Sequence, residues 1–359
     1  MRRRFAAGPH VARLVLALLL TLGQGLANAA TADTTVPGAQ WASFATPEEA
    51  GFSSAGLAKA QEYTGRIDTA AFMLVARGKV VTQWGRTADR FNVHSVRKSF
   101  LSALVGMAVA EGKISMDATL GALGIDDNEP ALTEVEKQAT VRHLITARSG
   151  IYHPALYESS GMAAMRPLRG SQAPGTHWYY NNWDFNALGT VYEQLTGVGI
   201  FEAFDARLAR PLQMEDFRRQ DGEYFRGAAS RHAAYPFRMT ARDMARFGLL
   251  YLREGKWGDQ QIVPAQWVKD SVRSHSDAGF NGGYGYLWWV AVNGRHVPFV
   301  NLPNGSFSAR GHGGHTILVI PAYDLVLVHR VNTDVRGADV NARQFGELVR
   351  LVLQARQRK

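Results

Sequence analysis

The chain has 359 residues, 46% of them hydrophobic, with no cysteine and a formal net charge of +9. The missing cysteine excludes disulfides, thiolate metal ligands, cysteine nucleophiles and a lipid-modified cysteine anchor. Much of the basic excess sits in the leader. Without Arg2, Arg3, Arg4 and Arg13 the charge falls to near +5, and the rest is interspersed with no arginine-aromatic stripe, which argues against nucleic acid as a partner.

Residues 1–29 read as a secretory signal peptide: a basic start at Arg2-Arg3-Arg4, an apolar run from Leu14 to Leu22, and the small-x-small site Ala27-Asn28-Ala29. The apolar run is short for a membrane span, so the mature protein is expected without one, in the periplasm or secreted. Arg2-Arg3-Arg4-Phe5 leaves both a general and a twin-arginine export route open.

The spacing predicts a capped helix from Ser53 to Ile67, then a hairpin of Ala71–Arg77 and Val80–Trp84 about Gly78-Lys79. Helical patterns fill Met116 to Gly258, most clearly Thr240–Glu254 with Met244, Phe247, Leu250 and Tyr251 on one side. Strand signals return at Tyr284–Val292, Gly314–Ile320 and Leu325–Val331, and Asn341–Gln357 closes the chain as an amphipathic helix. The expected fold is α+β: strands from both ends in one antiparallel sheet, flanked by N- and C-terminal helices, with a mostly helical lobe inserted at about 116–258.

Three stretches carry candidate chemistry. Ser95-Val96-Arg97-Lys98 runs into the apolar spacing of Leu101, Leu104, Val105 and Ala108, which places Ser95 at a helix start with Lys98 one turn on, on the same face. A buried lysine there would lose proton affinity and accept the serine proton. Second, Trp178-Tyr179-Tyr180-Asn181-Asn182 leads into a helix capped by Asn181 or Asn182, and two frames of Y-x-N are possible. Third, Ser308-Ala309-Arg310-Gly311-His312-Gly313-Gly314-His315 heads the strand Thr316–Ile320, where glycines mark close approach of backbone to a ligand or a turn. Other chemistries lack support. No serine stands in a G-x-S-x-G frame, no H-E-x-x-H occurs, and His312 and His315 do not converge on a metal at that spacing. Trp178, Trp183, Trp288 and Trp289 read as core, with one or two of them at the cleft.

In this order and at these separations the three motifs resemble the serine β-lactamase and penicillin-binding-protein superfamily, in its class C-like esterase and 6-aminohexanoate-dimer hydrolase branch. The resemblance runs from about Trp41 to Leu353. It also takes in Val141-Arg142-His143-Leu144-Ile145-Thr146-Ala147-Arg148-Ser149-Gly150 and the stretch Arg238–Gly248. It implies one hydrolase domain over residues 40–357, an acyl-enzyme on Ser95, and Lys98 with Tyr180 handling the proton. Leu188-Gly189, eight and nine residues after Tyr180, selects Tyr180-Asn181-Asn182 as the Y-x-N, so Asn182 is expected to position the lysine and the substrate. No K-T-G exists. Ala309-Arg310-Gly311 is expected in its place, with the backbone N–H groups of Ser95 and His312 as oxyanion donors and Arg310, Gly311 and Gly313 lining the substrate. A shifted frame, His312-Gly313-Gly314, is the alternative. The resemblance implies no cofactor, no metal and a small ester, amide or peptide as substrate. The lost lysine favours a neutral ester or amide over a β-lactam or D-amino-acid peptide. A non-hydrolytic penicillin-binding or sensing module is the alternative from another class, and the oligomeric state stays open.

Overall fold

Apolar runs from the two ends of the chain meet in one sheet. The computed structural model describes residues 35–357, and the expected signal peptide at 1–29 lies outside them. The strands are β1 (Thr69–Ala76), β2 (Lys79–Gly85), β3 (Phe91–Asn92), β4 (Phe225–Gly227), β5 (Ser230–Ala234), β6 (Arg238–Met239), β7 (Lys256–Trp257), β8 (Gln260–Gln261), β9 (Ser276–Asp277), β10 (Gly283–Tyr284), β11 (Trp289–Val290), β12 (Phe307–Gly311), β13 (His315–Ile320) and β14 (Leu325–Val331). Eight of them form an antiparallel sheet in the order β2-β1-β14-β13-β12-β11-β10-β9. The short pairs β3-β6, β4-β5 and β7-β8 stand outside it.

The helices are α1 (Ser54–Thr64), α2 (Arg97–Ala110), α3 (Val141–Ile145), α4 (Ser160–Met165), α5 (Asn182–Thr196), α6 (Ile200–Phe204), α7 (Ala241–Leu252), α8 (Ala265–Ser271) and α9 (Ala342–Gln354). The polar residues at which the sequence starts three of them, Ser53, Thr240 and Asn341, are N-caps whose side chains accept from backbone N–H groups of the first turn. Asn341 and Gln344 form a reciprocal capping box.

The sheet is buried on both faces, so β1 is an unbroken apolar run rather than an alternating one. Ala71, Met73 and Val75 face a large core shared with α2, α5 and α7. Phe72, Leu74 and Ala76 face a second core closed by α1 and α9. Helix α7, which ends the predicted helical stretch, packs onto the sheet, and a Cβ on Gly248 would lie 2.7 Å from side-chain carbons of both Ile317 and Val326.

Two strand predictions change. Tyr284–Val292 is not one strand but two, β10 and β11, paired antiparallel. Backbone packing decides this. A Cβ on Gly285 would lie 2.0 Å from Ser271 O, and Leu287 takes a left-handed φ of +62° that turns the chain. The third motif is also not only the head of a strand: Phe307–Gly311 is itself β12, and His312–Gly314 forms the turn into β13.

Candidate active site

Ser95 sits in a single 3-10 turn, His94–Val96, that runs directly into α2. The turn is held in an uncommon conformation. His94 has φ +47°, its N–H donates to Asn92 Oδ1 at 2.8 Å, and Val93 N–H donates to Phe237 O at 2.9 Å. A non-glycine residue in that region is strained and persists only when its surroundings enforce it. The result is a half-buried Ser95 presented at the start of α2, at the positive end of the helix.

Lys98, one turn on, is 1% exposed, and its Nζ donates to Ser95 Oγ at 2.7 Å. The amine rests over the rings of Tyr180 (4.9 Å) and Phe185 (5.0 Å). Burial, together with the neighbouring Arg97 charge, holds its pKa well below the usual lysine range.

Tyr180 arrives on the lead-in to α5. Its ring stacks on Trp289 at 5.3 Å and packs against Phe185 at 5.0 Å. Burial pushes the phenol up to about 12, against the opposing pull of the Ser95 hydroxyl and of Arg97 and Arg310. Tyr179, the competing candidate, points elsewhere: its hydroxyl donates to Met162 O at 2.7 Å. Asn181 is the helix cap, accepting from Trp183 N–H at 3.1 Å. Asn182 follows as the first helical residue. Its Nδ2 donates to Tyr157 O at 2.6 Å, and its buried Oδ1 has no partner among the described residues.

The third motif comes alongside Ser95 because β12 ends against its turn. A Cβ on Gly311 would lie 2.3 Å from Val93 O and 3.3 Å from His94 Cβ, so only glycine allows this approach. His312 follows, its ring 5.6 Å from that of His94. Gly313, expected at the substrate, is a turn residue with φ +80°, and a Cβ there would meet Thr333 Cγ2 at 2.4 Å. This close packing on Thr333 argues against the shifted His312-Gly313-Gly314 frame. Arg310 lies over Trp289 at 5.1 Å, so it reaches the wall of the site. Its donors, however, already have acceptors: Ser308 Oγ at 2.8 Å, Asn281 Oδ1 at 3.0 Å and His296 O at 2.7 Å. Among the described residues no group of three or more acidic or histidine side chains is placed to hold a metal.

Sequence reasoning passed over Arg97, Asn92 and Tyr157. Asn92 Nδ2 donates to the Tyr157 hydroxyl at 2.7 Å and so ties the helical stretch to the serine turn. No sequence signal marks that bond, because the two residues are far apart in the chain. Of the tryptophans, Trp183 and Trp288 are fully buried core, whereas Trp289 lines the site.

A serine one turn before a buried lysine, a tyrosine on the helical side and a glycine-ended strand opposite define a β-lactamase/transpeptidase-like fold with a hydrolase-type site. The chain belongs to the Beta-lactamase family, whose model matches residues 27–349. Among its relatives is an uncharacterized protein of Alkalihalophilus pseudofirmus, 24% identical over a 317-residue alignment that covers 78% of this chain and 90% of that one. Esterase EstB of Burkholderia gladioli is 27% identical over 216 residues, about half of each chain (54% and 53%). A solved Bacillus anthracis structure, assigned as a 6-aminohexanoate-dimer hydrolase, shares the fold with a TM-score of 0.60 at 19% identity, covering 82% of this chain and 80% of that one.

Proposed function

We propose that this protein is an exported serine hydrolase that cleaves a small, neutral ester or amide through an acyl-enzyme on Ser95. The observation that carries the reading is the 2.7 Å contact of Lys98 Nζ with Ser95 Oγ, made by a buried lysine whose proton affinity is lowered. An uncharged amine there accepts the serine proton as Oγ attacks the substrate carbonyl. The developing oxyanion is received by the backbone N–H groups of Ser95 and His312, a stabilisation whose loss typically costs about 2.7–4 kcal/mol per donor. The proton then passes through Lys98 and the neutral phenol of Tyr180 to the leaving oxygen or nitrogen. Water, deprotonated by the same pair, releases the acid and restores Ser95.

Two observations support a neutral substrate. No K-T-G lysine is present, and Arg310 is already bound by three acceptors. The esterase relative agrees with an ester. Residues 1–29 support export to the periplasm or beyond. The test is a fluorophosphonate probe combined with intact-mass detection of the acyl-enzyme, run beside a panel of a short-chain nitrophenyl ester, an aminohexanoate dimer and a chromogenic cephalosporin. Labelling at Ser95 with turnover of the ester or the dimer is expected. Preferential cephalosporin turnover would overturn the substrate class, and labelling without turnover would point to a binding module.

A further inference from the structure

Beside Lys98 lies a second buried cation that the mechanism above does not use. Arg97 is fully buried, and its guanidinium sits 4.1 Å over the ring of Tyr235 and 5.7 Å over that of Tyr157. Its one directed hydrogen bond runs from Nη2 to Asn186 Oδ1 at 3.2 Å, while Nε and Nη1 have no hydrogen-bond partner among the described residues. A buried arginine ordinarily meets a carboxylate, since an uncompensated buried charge is strongly destabilising. Here it meets a neutral amide and two aromatic faces.

Among the described residues, no acid bears on Lys98 either. Tyr180 and Phe185 face the amine from α5 and its lead-in. Ser95 and His94 face it from the serine turn, His94 being uncharged because burial and the neighbouring His312 and Arg330 lower it to about 4. Arg310 bears on the site from β12 through Tyr180. Two adjacent basic side chains are thus buried in the first turn of α2, at the positive end of its dipole, with no acid between them among the described residues. Such a pair relieves its repulsion by releasing one proton, and arginine does not release its own.

We infer that Arg97 is a positioning residue whose permanent charge adds to the effect of burial in keeping Lys98 in its uncharged, proton-accepting form. The inference rests on the proposed role of Lys98, but its test does not pass through catalysis. Lysine-labelled Ser95→Ala protein would be titrated by NMR, with the Lys98 signal identified by its loss in Lys98→Met. Arg97→Met should raise the Lys98 midpoint by about one pH unit or more, on the scale of a unit charge removed from a partly shielded neighbour. Because that variant removes a buried side chain, Asn186→Asp supplies a second arm. It sets a carboxylate against Nη2, balances the guanidinium without removing it, and should raise the midpoint in the same direction. In proteins with intact Ser95, the acid limb of kcat/KM should move with the midpoint. An unmoved midpoint in whichever variants fold would overturn the inference, and it would do so even if Ser95 proved to be the nucleophile. A moved midpoint in an inactive protein would leave the inference standing and sink the hydrolase reading instead.

Discussion

Two cations reach the candidate site from opposite walls, and the structure treats them differently. Lys98 is buried with one hydrogen-bond partner among the described residues, the Ser95 hydroxyl. Arg310 donates to Ser308, Asn281 and His296 and lies against Trp289. A cation whose donors are satisfied by fixed acceptors is scaffold, since its charge and position are both determined by the protein around it. A buried amine with one partner is poised to react, because it gains by giving up its proton or passing it on. A basic side chain therefore has two uses within one cleft, decided by the acceptors around each group.

That contrast can be broken at its centre first. Ser95→Ala should remove about a thousandfold or more of the hydrolysis, as expected when a nucleophile is deleted from a cooperating unit, while the thermal transition stays within a degree or two. Retention of a tenth of the activity would take Ser95 out of the nucleophile's role.

On the lysine side, Lys98→Met and Tyr180→Phe should each lower kcat at least about 100-fold, and the double variant should be scarcely worse than the poorer single one. Lys98→Met carries a second, opposite expectation for stability. Burial lowers the folded-state pKa of Lys98, so between that value and the unfolded value near 10.5 the unfolded chain binds a proton the folded one has released. Stability therefore falls as pH drops through that window, and at neutral pH the buried amine is a net cost that methionine removes. The inactive variant should melt no lower than wild type at pH 7. A clear loss of Tm would mean that Lys98 is a satisfied structural group like Arg310.

The wild-type pH profile follows from the same shifts. Activity should rise with pH as Lys98 loses its proton, below the ordinary lysine range, and hold until Tyr180 ionises near 12. A basic limb at pH 8 to 9 would contradict a neutral phenol in the mechanism.

Smaller effects belong to the opposite wall. Arg310→Gln should lower stability by about 1–3 kcal/mol, because the buried Ser308 and His296 acceptors lose their donors, and should cost activity less than Lys98→Met does. Denaturant melts and a KM–kcat comparison check both. Smallest of all, Tyr179→Phe should leave turnover nearly unchanged, since its hydroxyl is bonded to Met162 O. A severe loss there would put the Y-x-N one residue earlier.

Local rules made much of this molecule readable. Ser53, Thr240 and Asn341 announce helix starts because a short polar side chain at that point answers free backbone donors. The three-residue spacing of Ser95 and Lys98 brings them to one face wherever a helix forms, so their contact follows from helical geometry alone. The hairpin of β1 and β2 and the antiparallel run of β13 and β14 are legible for the same reason: their turns and strands are local.

What depends on distant chain segments was not legible. Tyr284–Val292 is divided where Gly285 N–H donates to Trp288 O and Tyr286 N–H to Ser271 O, and Gly313 turns where a side chain would meet Thr333. Asn182 turns to Tyr157 because of where the loop before α4 lies. Arg310 and Arg97 are equally plain arginines in the sequence. Only packing surrounds one with acceptors and leaves the other buried without an acid among the described residues. Residue spacing thus determined which groups share a helix face or a turn. Tertiary structure decided how each charge is solvated, because burial and the supply of acceptors are set by residues remote in sequence.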